Sequence, residues 1–303
     1  MSVNTVAILS PGDMGSGVGY ALGQNEIDVI TCLRGRSDRT RQLAAEAHFR
    51  DIPTLGLLVE QADLILSILV PDQAMEVANQ VASAMRLTGK HSVYADCNAV
   101  SPQTTRQMEA IITEAGGQYV DGGIIGGSPT RGTPPRFYVS GEHASAVAEL
   151  DGKGITVKPL GEEIGRASGI KMCYAALTKG TSTLQAALLS AAESMNLTDE
   201  LIAEFEFSQP AALKQMSNGI SRLPPNAHRW IGEMEEIAST FEHLGVTPSF
   251  HKGAAEMYRL LSRTPYASES PEDADKSRPT SDTIRAVVDL LRPQISADGQ
   301  AAD

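Results

Sequence analysis

The chain has 303 residues, long enough for two moderate cores, with 42% hydrophobic and 20% charged residues. Its 25 Lys plus Arg face 37 Asp plus Glu, a formal net charge of −12, which argues against a nucleic-acid partner and means that any anionic ligand must be held locally. No apolar run approaches the roughly 20 residues of a bilayer span and we read no signal peptide, so a cytoplasmic chain without a membrane partner is expected.

Thr5 to Leu9 reads as a strand, Ser10-Pro11-Gly12-Asp13-Met14-Gly15 as a turn, and the following residues as a helix. This order suits a dinucleotide-binding unit, where backbone N–H groups and a helix N-terminus meet a pyrophosphate. Gly12 leaves room for that approach and Gly15 lets helix and strand lie close. Gly15, Gly19 and Gly23 share one helical face, for which close packing is the expected reason. Ser10 stands where G-x-G-x-x-G has its first glycine, and Pro11 is expected to push it towards an extended backbone. The plain alternative is an ordinary glycine-rich turn.

Asp28 to Leu33 reads as a second strand, ending in Arg34-Gly35-Arg36-Ser37 with Arg39 and Arg41 close behind. A carboxylate for a ribose 2′-hydroxyl is missing there, while guanidinium and hydroxyl groups suit a 2′-phosphate, so NADP is preferred over NAD. Arg36 and Ser37 are the chosen pair; a solvated basic turn is the alternative. Asp63 to Val70 and Ser92 to Asp96 read as further strands, with helices after Pro71 and from Gln103 to Glu114. Alternating strands and helices predict a parallel sheet covered on both faces, whose carboxyl-end loops after Leu9, Leu33, Val70 and Asp96 form a cofactor crevice. Tyr119 to Asp121 reads as a strand end running into the paired glycines 122–123 and 126–127, which suit either an anion-binding concavity or a flexible turn. Phe137 to Gly141 and Gly154 to Lys158 complete the strands.

From Ile164 onward only helical periodicity appears: Ser168 to Met195, Thr198 to Gln209, Trp230 to Leu244 and Val246 to Leu261. Thr264 to Ser281 reads as an exposed loop, Thr283 to Leu291 as a short helix and Ile295 to Asp303 as a frayed tail. The expected organisation is α/β: an N-terminal Rossmann-like parallel-sheet domain over 1–163, then an all-α substrate and dimerisation domain over 164–303. Cys32, Cys97 and Cys173 lie far apart in apolar runs, which suits buried thiols rather than disulfides or zinc. His228 and His243 lack a ligand pattern, and no metal site is expected.

The order of segments resembles the β-hydroxyacid dehydrogenase superfamily, which includes 3-hydroxyisobutyrate and 6-phosphogluconate dehydrogenases, and is most similar to the branch with a DUF1932 C-terminal domain. Ser10 to Gly15 resembles the family's G-L-G-x-M-G turn, Asp96-Cys97-Asn98-Ala99-Val100-Ser101-Pro102 its D-x-S-T-x-x-P stretch, and Asp121 to Gly127 its D-A-P-V-S-G-G substrate loop. Gly169 to Ala175 resembles the helix bearing the catalytic lysine. The resemblance implies that Lys171 is the general acid/base, with hydride transfer at a domain cleft. It also implies cofactor contacts from Ser10, Pro11, Gly12, Asp13, Met14, Arg34, Arg36, Ser37, Leu69, Val70 and Asn98, and substrate contacts from Ile125, Gly126, Gly127, Tyr174, Ala175, Trp230 and Glu235. The expected activity is an NAD(P)-dependent dehydrogenase or reductase acting on a hydroxyl/carbonyl small molecule, in a homodimer. Three departures stand out: the family's asparagine falls on Ala175, where Tyr174, Thr178 or Lys179 can offer a replacement, its substrate-loop serine falls on Ile125, and its Lys-Asp pair falls on Glu235-Glu236. Imine reduction and non-catalytic NADP(H) sensing are the alternatives, and the lysine weighs against both.

Overall fold

The computed structural model describes residues 2–271, 273–275 and 277–291. The chain divides into two compact units, Met1–Tyr174 and Ala175–Asp303.

The first unit is built on one sheet in the order β3-β2-β1-β4-β5-β6-β7-β8. Its strands are β1 (Thr5–Leu9), β2 (Asp28–Thr31), β3 (Arg50–Asp51), β4 (Leu64–Ser67), β5 (Val93–Asp96), β6 (Gln118–Ile125), β7 (Arg136–Ser140) and β8 (Thr156–Pro159). Neighbours run parallel except β6 and β7, which are antiparallel with Ile125 opposite Arg136. The sheet is thus mostly parallel, as expected from the sequence, with one antiparallel pair where the chain returns beside β6 through a loop instead of a crossover helix. Helices α1 (Asp13–Gly23), α2 (Asp38–Glu46), α3 (Leu55–Gln61), α4 (Pro71–Thr88), α5 (Pro102–Glu114) and α6 (Ala144–Ala148) belong to this unit.

Both faces of the sheet are apolar. Along β1, Val6 and Ile8 join Leu22, Leu66 and Phe137 on one face, while Ala7 and Leu9 join Ile65, Met85 and Tyr94 on the other. Full burial of each large aliphatic side chain contributes about 1.5–3 kcal/mol, and the two-sided demand explains why these strands read as continuous apolar runs.

Helix α7 (Arg166–Ser194) carries the chain from the first unit into the second. The second unit continues with α8 (Thr198–Ser208), α9 (Pro210–Gly219), α10 (Pro224–His243), α11 (Ser249–Leu261) and α12 (Thr280–Leu291). Helices α10 and α11 pack along each other, with Met234 and Ile237 of α10 and Ala254 and Tyr258 of α11 buried. Prolines open both α9 and α10 at a position where a missing N–H costs nothing. Helix α9 was not expected from the sequence, and α10 begins six residues before the expected start at Trp230.

The segment expected to be an exposed loop before α12 is partly pinned: Pro265–Ser268 forms a 3-10 turn, and the buried Arg278 side chain pairs with Glu269 and lies 3.8 Å from the Tyr266 ring centre. Expected tail residues 295–303 lie outside the described residues. Of the cysteines expected to be buried, Cys97 is buried, Cys32 is half-buried and Cys173 is exposed. An apolar run on a helix still turns some of its residues outward.

Candidate functional site

The turn after β1 differs from the sequence expectation in one torsion. Ser10 is left-handed, with φ of 57°, rather than extended. Closing the tight strand-to-helix turn overrides the pre-proline bias, and serine adopts the conformation that the usual glycine would hold. At Gly12 an added Cβ would meet nothing within 4 Å, while at Gly15 it would lie 3.2 Å from Ile8 Cγ2. The first glycine therefore faces open space, and the second is the close contact between helix and strand. Gly19 packs tightly under Phe49, but a Cβ at Gly23 would meet nothing within 4 Å, so close packing does not explain that glycine. Gly12 caps α1 without a side-chain bond, leaving first-turn N–H groups of Asp13, Met14 and Gly15 without helical acceptors. An uncapped helix start behind an open glycine fits a pyrophosphate.

The loop after β2 is held from both sides. Leu33 N–H donates to Asp51 Oδ1 of β3 at 2.9 Å, and Arg41 Nη2 donates to Leu33 O at 2.7 Å. The carboxylate that the sequence lacks at this strand end thus arrives from β3, engaged with backbone. Gly35 turns the chain with φ of 75°, Arg34 is exposed and Arg36 half-buried. Ser37 caps α2, its Oγ accepting from Thr40 N–H at 3.3 Å.

The loops after β4 and β5 meet through Asn98, which is 2% exposed. Its Oδ1 accepts from Leu69 N–H at 2.6 Å, and its Nδ2 donates to Asp96 Oδ1 at 2.6 Å and to Ser67 Oγ at 2.9 Å. Asn98 thereby fixes the backbone of Leu69, one residue before Val70, the N-cap of α4. Burial raises Asp96 to about 7, although its bonds from Asn98 pull the other way. Tyr94 and Tyr119, stacked 6.0 Å apart beside it, are also pushed up by burial, as is Cys97, which is therefore a poor nucleophile.

Asp121, buried in the middle of β6, is the group whose structural role the sequence did not reveal. Its Oδ2 accepts from Gly165 N–H at 2.9 Å, Ala167 N–H at 3.0 Å and Ser140 Oγ at 2.9 Å, and its Oδ1 from Ser168 N–H at 3.2 Å. A carboxylate from the sheet thus caps the start of α7, satisfying donors that a helix cannot satisfy itself. Two residues along β6, a Cβ at Gly123 would sit 2.6 Å from Ala167 O and 2.9 Å from Lys171 Cβ. Lys171 is half-buried and is seated on β6 by this contact, one turn beyond the cap. The only hint in the sequence was a carboxylate inside a strand, next to two glycines.

Strand β6 ends at the buried Ile125, and Gly126 and Gly127 after it are exposed, Gly126 with φ of 125°. Beyond them Arg131 Nη2 reaches Asp13 Oδ2 at 2.8 Å, joining this loop to the first turn of α1. In the first unit, the loop after β6 therefore meets α1 through Arg131 and Asp13, while Lys171 of α7 lies against Gly123 of β6. Tyr174, next along α7, is exposed.

In the second unit Ala175 is buried and Lys179 Nζ pairs with the buried Glu233 Oε1 at 2.7 Å, 5.5 Å from the Trp230 ring centre. Trp230 stands edge-on to Tyr258, with ring centres 5.3 Å apart. Glu235 is exposed and pairs with Arg259. The buried acid of α10 is thus Glu233, which no local pattern separates from Glu235 and Glu236. Among the described residues, no group of three His, Cys, Asp or Glu side chains could hold a metal ion.

Residues 5–150 match the NAD binding domain of 6-phosphogluconate dehydrogenase, and residues 192–261 match DUF1932, a domain of unknown function. The chain thus carries an NAD-binding domain of the 6-phosphogluconate dehydrogenase type, followed by a DUF1932 domain. A conserved protein of unknown function, described as structurally similar to 3-hydroxyacid dehydrogenases, shares 25% identity with a TM-score of 0.61, covering 85% of this chain and 96% of its own. A 3-hydroxyisobutyrate dehydrogenase of Mycobacterium tuberculosis, solved with L-serine, shares 16% identity with a TM-score of 0.65, over 96% of this chain and 99% of its own. An imine reductase of Myxococcus stipitatus in complex with NADP+ shares 20% identity with a TM-score of 0.51, over 95% of this chain and 100% of its own. At these identities the likeness is one of fold.

Proposed function

We propose that this chain is an NADP(H)-preferring oxidoreductase that interconverts a hydroxyl and a carbonyl group on a small molecule, with Lys171 as general acid/base. The observation that carries this reading is the seating of Lys171 on Gly123, fixed by the Asp121 cap, in the unit that also holds the open turn at Gly12. Gly12 and the first turn of α1 hold the pyrophosphate, Arg36 and Ser37 take the 2′-phosphate, and the Asn98 bond to Leu69 sets the rim of the cofactor site. When bound, the nicotinamide supplies or accepts the hydride. Lys171 takes the hydroxyl proton in oxidation and returns one to the carbonyl oxygen in reduction. The backbone N–H groups of Gly126 and Gly127 receive an anionic group of the substrate in place of the serine replaced by Ile125.

Imine reduction is the second reading. The fold shared with an imine reductase favours it; the lysine disfavours it. Titration with NADPH and NADH, followed by nicotinamide absorbance against hydroxy acids, ketones and imines, tests both. The expected result is turnover of a hydroxyl/carbonyl pair that Lys171→Ala abolishes while NADPH binding stays within about twofold. Absence of binding by either nucleotide overturns the proposal, and turnover of imines that survives Lys171→Ala favours the second reading.

A further inference from the structure

The salt bridge between Asp13 and Arg131 joins residues 118 positions apart. It is half in water: the Arg131 side chain is 60% exposed and that of Asp13 23%. An ion pair so placed adds little to stability, yet the fold is shaped to allow it. Gly17 of α1 leaves room for the loop that carries Arg131: a Cβ there would lie 2.0 Å from Ser128 Oγ and 3.2 Å from Pro129 Cδ. The 3-10 turn Pro129–Arg131 rests on that space, and its arginine reaches the first residue of α1.

Asp13 occupies a position that needs explaining. An acid in the first turn of a helix is stabilised by the positive end of the helix dipole. The pyrophosphate of a dinucleotide would dock at the same end, so an uncompensated Asp13 carboxylate would set negative charge against negative charge and compete for the same dipole. We propose that Arg131 is a positioning residue for the cofactor that acts through Asp13: it neutralises the carboxylate at the mouth of the phosphate turn and so sets the affinity for the dinucleotide. The inference rests on the cofactor reading of that turn. It assigns Arg131 to the pyrophosphate end, apart from the 2′-phosphate group assigned to Arg36 and Ser37, so it applies equally to NADPH and NADH.

The full chain, Arg131→Ala, Asp13→Asn and the double variant are titrated with NADPH and NADH by quenching of protein fluorescence at two salt concentrations. Arg131→Ala should bind both nucleotides about fivefold more weakly. Asp13→Asn should bind at least as tightly as the wild type, and the double variant should match Asp13→Asn, because the arginine has nothing left to neutralise. The loss in Arg131→Ala should shrink at high salt. Unchanged affinity in Arg131→Ala overturns the inference, and so does a double variant as weak as Arg131→Ala, since the arginine would then act by another route. A wild type that binds neither nucleotide overturns the cofactor reading itself, and the inference with it.

Discussion

Gly123 of β6 lies so close beneath Lys171 of α7 that a Cβ on the glycine would stand 2.9 Å from the lysine's Cβ and 2.6 Å from the carbonyl oxygen of Ala167. The second contact is with backbone, which cannot swing aside. Gly123→Ala should therefore lift the first turns of α7 from the sheet, lowering stability by about 1–3 kcal/mol and turnover more than NADPH affinity. Chemical unfolding and a nucleotide titration on the same sample separate the two effects. Equal stability would show that α7 shifts at no cost.

Asp121 accepts the backbone N–H groups of Gly165, Ala167 and Ser168. Replacing it with alanine leaves those buried donors unsatisfied and should cost roughly 3 kcal/mol or more. Asparagine keeps one acceptor oxygen but turns an amide donor towards other donors, so Asp121→Asn should fall between alanine and the wild type. Denaturation midpoints of the three proteins order the series, and a fully stable alanine variant would contradict the role of the cap.

Burial raises Asp96 from 3.8 to about 7 in the folded chain. The folded protein then holds a proton that the unfolded chain has lost across that interval. Stability from this group is accordingly present at the acid end and declines as pH rises from about 4 to 7. The change should amount to a few kcal/mol, roughly 1.4 per unit. Asp96→Asn should flatten this part of the profile, which thermal unfolding between pH 4 and 8 reads directly; an identical slope in the variant would refute the assignment.

Arg36, half-buried in the turn after β2, is expected to contact the phosphate that distinguishes NADPH from NADH. Arg36→Ala should weaken NADPH about tenfold, as loss of a charge-assisted bond does, and leave NADH unchanged. Equal weakening of both nucleotides would move Arg36 from the 2′-phosphate to a general effect on the loop.

The sheet was legible because buried parallel strands need apolar residues on both faces, as Ile65 and Leu66 of β4 show on opposite sides. Two-residue β3, seven-residue α3 and five-residue α6 are too short to show a period. Lys171 came from a resemblance, whereas its support did not, because Asp121 and Ser168 are 47 residues apart and meet only once β6 and α7 are in place. The Asp13–Arg131 contact was hidden for the same reason. Ser10 was misread by a local rule: the proline after it predicts an extended residue, and the turn between β1 and α1 demands otherwise.

That left-handed serine separates what a fingerprint spells from what it requires. The first glycine of the usual pattern is chosen for the sign of a torsion, and a residue with a side chain meets the same demand at a cost of about 1–2 kcal/mol. Ser10 does so with φ of 57°, and brings a hydroxyl to a place where glycine brings none. Diverged relatives of this chain are better sought by a dihedral followed by the glycines at 12 and 15 than by three letters. A search that discards every chain lacking the first glycine discards this geometry with it.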